Sequence, residues 1–285
     1  MRKPSLIAVV VGCGLFLSAS HPARAEVDVN EVIQQCYYKD WGRDQRSRLI
    51  FTMKNRSGKV TKKMEFVRYW KDYRGKDGLV SKWMLFTVAP PEYRDNNYLR
   101  ITYTLASGRM PEQWVYLKRL QSVRRLSLRE QDNLSWGLMG EDLAIRQPDE
   151  DEHSLLGVRE EHGNITYEVE SRPRLPGPAY DKYISYYVRL RSDSWEDCTL
   201  THRDYYDARG HLFKKADYAW QQIDGAWVLS SLDIVIERAE KKPAEQKMGK
   251  KASRLFISYR FLDPEVNVGL EDRFFSQRNL RRGLR

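Results

Sequence analysis

The chain reads as mainly β (α+β): one wide antiparallel sheet, curved, with a helix or loops covering its concave face. Three observations predict this. Short segments alternate apolar and polar residues with a period of two and are separated by turn residues along most of the 285-residue chain. Only one early segment carries apolar groups at helical spacing. Several strands also carry bulky apolar groups on both faces, as with Trp83 and Leu85 against Met84 and Phe86. A sheet so wide must curl, split or be covered.

The elements follow in order. Val27 to Tyr38 forms a short helix, with Asp28 as N-cap and Val29, Val32, Ile33 and Cys36 as its apolar stripe. Leu49–Met53 turns through Asn55-Arg-Ser-Gly58 into Lys63–Trp70. Lys82–Val88 is a strand ended by Pro90-Pro91, and Tyr98–Leu105 pairs with Gln113–Leu120 around Ser107-Gly108. Residues 127–155 lose periodicity at Gly137 and Gly140 and carry the acidic run Asp149–Glu152, which reads as a solvated face or as a contact for a basic partner. Leu155–Val158 and Ile165–Val169 flank a hairpin at His162-Gly163-Asn164. Arg172–Tyr180, with three prolines and a glycine, is a loop. Alternation is cleanest in the last third: Ile184, Tyr186, Val188 and Leu190 share a face, then Thr201–Tyr206, Leu212–Trp220, Trp227–Glu237 and the run Leu255, Ile257, Tyr259, Phe261. Glu240–Lys251 is a Lys-rich connector. No repeat is visible.

Residues 1–25 read as a secretory signal peptide, with Arg2 and Lys3, an apolar run over Leu6–Ala19, and cleavage after Ala25 in Ala23-Arg24-Ala25. Residues 26–285 then form a single exported domain, in the periplasm if the organism is a bacterium. The rival is lipidation at Cys13, since Val10-Val11-Gly12-Cys13 resembles a lipoprotein cleavage box. Cleavage removes three cations and no acid, so the formal charge of +10 falls to +7, and all eight tryptophans stay in the mature part. Cys36 and Cys198 remain. They form either a disulfide, which an oxidising compartment permits, or two separate buried thiols.

Enzyme chemistry finds no support. The mature histidines, His153, His162, His202 and His211, form no His-x-His or His-Glu-x-x-His pair, and there is no nucleophile elbow or phosphate loop. No catalytic residue, metal or cofactor is expected. Nucleic acid is not an expected partner of an exported chain without a recognition motif.

Several motifs together resemble the LolA-like outer-membrane lipoprotein-sorting family, and in particular its larger branch associated with exporters of the resistance-nodulation-division (RND) type. They are Trp70-Lys-Asp72, Leu85-Phe-Thr-Val-Ala-Pro-Pro91, Gln113-Trp-Val-Tyr-Leu117 with Val123-Arg-Arg125, Met139-Gly-Glu-Asp142, Tyr206-Asp-Ala-Arg-Gly210, and Phe274–Leu280 with Arg281 and Gly283. The resemblance implies an incomplete, strongly curved β-barrel with helices in or over its concave face. It also implies a soluble periplasmic carrier that shields lipid or lipoprotein acyl chains and transfers them between membranes. The candidate cavity or rim residues are Trp83, Leu85, Phe86, Trp114, Tyr116, Trp136 and Met139, with ordinary core as the alternative. Arg119, Arg124, Arg125 and Arg129 are candidates for anionic headgroups, a transient membrane-surface contact or an acidic transporter face, against a merely solvated surface. The rival function is a non-transporting accessory subunit of an envelope export complex.

Overall fold

The computed structural model describes residues 27–126, 143, 146–174, 180–191, 193–237 and 254–284. The signal segment with Cys13, the candidates Trp136, Met139 and Arg129, and the Lys-rich connector therefore lie outside the described residues. Thirteen strands form one antiparallel sheet in the order β6-β5-β4-β3-β2-β1-β13-β12-β11-β10-β9-β8-β7. The first meander runs outward from the middle: β1 (Asp44–Lys54), β2 (Val60–Asp72), β3 (Leu79–Ala89), β4 (Asn97–Tyr103), β5 (Glu112–Leu117) and β6 (Ser122–Arg125). The second starts at the far edge and runs inward: β7 (Asp151–Glu161), β8 (Asn164–Pro173), β9 (Lys182–Arg189), β10 (Thr199–Tyr206), β11 (Leu212–Ile223), β12 (Ala226–Glu237) and β13 (Arg254–Val266). The last strand pairs with the first, Leu49 opposite Phe261 and Phe51 opposite Tyr259.

The hairpins close where the sequence supplies left-handed residues. His162-Gly163 and Asp224-Gly225 each place two consecutive residues at positive φ, as a two-residue turn between twisted strands requires. One strand ends sooner than its apolar run suggests. Gln113–Leu120 stops at Leu117, a short 3-10 turn follows, and Gln121 at φ 48° reverses the chain into β6.

Period-two alternation sorts the side chains onto two faces. Leu49, Phe51, Phe66, Leu85, Tyr98, Leu232, Ile234 and Tyr259 form the principal core on the concave side, joined by Tyr183 and Tyr205 from the second meander. Contact between residues so far apart in strand order requires the sheet to curl.

Two α-helices are described, one on each face. α1 (Val29–Tyr37) is capped by Asp28, whose side chain accepts from the Asn30 N–H. It buries Val32, Ile33 and Cys36 against Tyr167, Val169 and Tyr187 on the concave side. The structure joins Cys36 to Cys198, just before β10, which fixes the helix to the wall. α2 (Gln277–Arg282) lies on the convex side instead, where Phe275 and Leu280 pack against Met84, Phe86 and Leu99. The acidic run is a solvated face only in part: Asp149 and Glu152 are exposed, Glu150 is half-buried and Asp151 is buried. Asp151 is 1% exposed, accepting from Arg146 at 2.7 Å and from the Tyr183 hydroxyl at 2.5 Å. It anchors the incoming chain to β9, and burial of a carboxylate demands such partners.

Candidate functional site

The concave face holds a cavity of about 880 Å³. Trp70, Trp83 and Arg100 come to it from the first meander, Tyr205, Tyr218 and Leu229 from the second, and the end of α1 closes one side with Tyr37. Trp70, Trp83, Arg100 and Gln113 stand opposite one another on β2 to β5 and form one row across the sheet. Trp41 and Trp220, 5.1 Å apart between ring centres, add a second aromatic wall. Around the mouth, Tyr38, Leu105 and Met110 are 50%, 36% and 53% exposed.

The lining is not purely apolar. Arg68 lies two residues before Trp70 on the same face, its guanidinium over the rings of Trp70 and Phe261 at 5.9 and 5.5 Å. Its Nη1 donates to Gln45 Oε1 at 3.2 Å. No carboxylate pairs with it among the described residues, and burial pushes its pKa down to about 10. Arg100 is 6% exposed; Nε donates to Thr102 Oγ1 at 3.3 Å, while Nη1 has no hydrogen-bond partner among the described residues. Beside it Gln113 accepts from the Tyr98 hydroxyl, and its own Nε2 is likewise unsatisfied. On the opposite wall Arg203 donates from Nε to Ser185 Oγ at 3.0 Å and lies 4.3 Å from the Tyr183 ring centre. The other cavity cations are engaged: Arg146 with Asp151, Arg74 with Asp40, Arg109 with Glu112, Lys39 with the carbonyls of Trp195 and Glu196, and Lys214 over the Tyr205 ring.

The sequence-derived aromatic set divides between the two faces. Trp83 lines the cavity, and Leu85 is buried in the core on the same side. Phe86, Trp114 and Tyr116 lie on the convex face, packed with the α2 cluster. Phe86 is one residue out of phase with Trp83, and pleat alternation sends adjacent side chains to opposite faces. Trp114 stands opposite Leu99 in register, on the convex side with it. Arg119, Arg124 and Arg125 are exposed at the β5–β6 edge, where Arg125 lies 5.8 Å over Trp114 and pairs with Glu112 at 3.3 Å. None of the three lines the cavity.

Sequence reasoning passed over Arg68, Arg100 and Arg203. The signal was present: each is a cation at an inward step of an alternating strand, Arg68 between Phe66 and Trp70, and Arg100 between Tyr98 and Thr102. A charge at an inward position either finds a partner within the fold or waits for one.

A family profile described as "Uncharacterized protein" matches residues 80–282. No curated protein matches the chain. Solved structures resemble it over most of its length. A DUF1329 family protein from Desulfovibrio piger shares 22% identity at a TM-score of 0.66, over 88% of this chain and 95% of that one. A domain assigned to outer membrane lipoprotein sorting from Vibrio parahaemolyticus shares 18% at 0.67, over 88% and 96%. A LolA superfamily protein from Nitrosomonas europaea shares 14% at 0.59, over 89% and 100%. The curved sheet thus has the same fold as these three structures, the LolA superfamily protein among them.

Proposed function

The chain belongs to the family of uncharacterized proteins whose profile spans residues 80–282, and from its fold and cavity we propose that it is a periplasmic carrier, not an enzyme. It takes lipid or lipoprotein acyl chains into the concave cavity and passes them between membranes. The observation that carries the reading is an aromatic-lined cavity of about 880 Å³ with apolar residues at its mouth, left unfilled by the described residues, whereas the convex face is filled by the chain's own helix. That volume lies in the ~300–1,000 Å³ range of small-molecule sites. The lipoprotein-sorting assignment of the Vibrio neighbour supports the same direction.

Burial of an acyl chain contributes ~0.8 kcal/mol per CH₂, so a sixteen-carbon chain retains ~12 kcal/mol against exposure to water. A carrier must match most of this without exceeding it, and transfer is then an exchange between similar apolar surroundings. Large rings with few rotors suit that task, since Trp83 and Trp70 offer area at little cost in entropy. The exposed arginines Arg119, Arg124, Arg125, Arg278, Arg281 and Arg282, at the β6 edge and on α2, supply a basic surface for anionic headgroups or an RND-type exporter.

The test is native mass spectrometry of the mature protein from a periplasmic extract, with organic extraction of anything bound. A stoichiometric lipid-sized adduct that follows the folded protein is expected. Bare protein after incubation with membrane lipid would refute the carrier reading and favour an accessory subunit.

A further inference from the structure

We propose that the cavity is built for an amphiphile with an anionic head: an oxyanion, carboxylate or phosphate, seated on Arg68 and Arg100, with the apolar tail against the tryptophan walls. This deepens the carrier reading and rests on it.

A cavity meant only for hydrocarbon would have no use for these guanidinium groups. Eight cationic side chains line it among the described residues, against four carboxylates, Asp40, Asp72, Asp149 and Glu150. Two of those carboxylates share one cation: Asp40 and Asp72 face Arg74 at 3.0 and 3.7 Å. Glu150 pairs with Arg146 at 3.3 Å, while Arg100 acts on its carboxyl from beyond salt-bridge distance. Arg68, Arg100 and Arg203 are left without an ion pair among the described residues; Arg68 and Arg100 share one concave wall, with Trp83 between their strands, and Arg203 stands on the opposite wall. Burying an unpaired guanidinium is costly, and an unmade hydrogen bond at a buried N–H adds to the cost. Arg100 Nη1 and the neighbouring Gln113 Nε2 are two such donors, on side chains 6% and 1% exposed. The planar fork of Arg matches the two oxygens of a carboxylate or phosphate. Around these donors stand Trp70, Trp83 and Phe261, which give a tail its surface but offer no acceptor for the charge.

The experiment is isothermal titration calorimetry on the delipidated mature protein with decyl phosphate, decanoate, decanol and inorganic phosphate. Both decyl anions are expected to bind at least about tenfold more tightly than decanol, one charge-assisted contact being enough for that ratio. The pair of substitutions Arg68→Met and Arg100→Met is expected to abolish the preference, bringing the affinity ratio of each decyl anion to decanol down to about one. Decanol binding as tightly as the anions in the unmodified protein overturns the proposal, needs no variant, and leaves the carrier reading standing. A tenfold preference that survives in the double variant also overturns it. Inorganic phosphate binding as tightly as decyl phosphate overturns it in favour of a free-anion site. Failure of all three decyl compounds to bind removes the carrier reading as well. The ratio of decanoate to decyl phosphate affinity then tells a fatty carboxylate from a phospholipid head.

Discussion

The two faces of β2 to β5 are made from the same strands with the same taste for aromatic residues, yet they end differently. On the convex face Phe86, Trp114 and Tyr116 are met by Phe274, Phe275 and Leu280 from the chain's own C-terminus. On the concave face Trp70 and Trp83 look into a cavity, and α1, the helix described in full on that side, sits over β7 to β10 instead of over them. The coverings are also attached differently. α2 is held by apolar packing, by the Asn97 amide donating to the Leu280 carbonyl at 2.8 Å, and by Lys71 and Tyr73 donating to Asp272 at 2.7 and 2.8 Å. α1 is held by a covalent bond across 162 residues. An aromatic surface is therefore not a binding surface by composition; what matters is whether the chain supplies its own filler.

The largest expected effect concerns the covalent attachment. Replacing Cys36 and Cys198 together by Ser releases a long loop, and about 2–5 kcal/mol of unfolding free energy should be lost in urea titration. If α1 docks by packing alone, the midpoint will barely move. Next comes the convex filler. Leu280, fully buried, should cost about 2–5 kcal/mol when changed to Ala, without altering the affinity of the folded protein for a decyl compound. A parallel loss of affinity would show that the faces are not independent.

The smallest effect is electrostatic. Hydrogen bonds from Lys71 and then Tyr73 hold the Asp272 carboxyl below its ordinary pKa. A depressed folded value means its contribution is present above the unfolded pKa and is lost as pH falls through the folded one. The side chain is 61% exposed, so screening keeps the contribution within about 1 kcal/mol. Asp272→Asn should therefore lower stability slightly at neutral pH and leave it unchanged once the acid is protonated, well below pH ~4. An equal loss at both pH values would point to the hydrogen-bond geometry and not the charge.

Much of the fold was legible. Alternation placed twelve of the strands, and Asp28 with the Val32, Ile33, Cys36 stripe placed α1. The four-residue β6 and the six-residue α2 escaped because each is shorter than the window in which a period declares itself. Facing was harder. Trp83 and Phe86 both read as large and apolar, and only their odd and even positions, with knowledge of which side α2 occupies, separate cavity from core. Arg68 and Arg100 were legible as inward charges but not as members of one wall, because pairing across β2, β3 and β4 depends on bulges at Glu65/Phe66 and Leu79/Ser81.

The central claim is that cargo enters the concave cavity and not the convex cluster. The most direct measurement is quenching of tryptophan fluorescence by a decanoate brominated along its chain, in the unmodified protein and in Trp83→Phe and Trp114→Phe. Loss of Trp83 should remove a quenched component, and loss of Trp114 should leave the quenched amplitude intact. Quenching that survives in Trp83→Phe and falls in Trp114→Phe would place the ligand on the convex face and contradict the account.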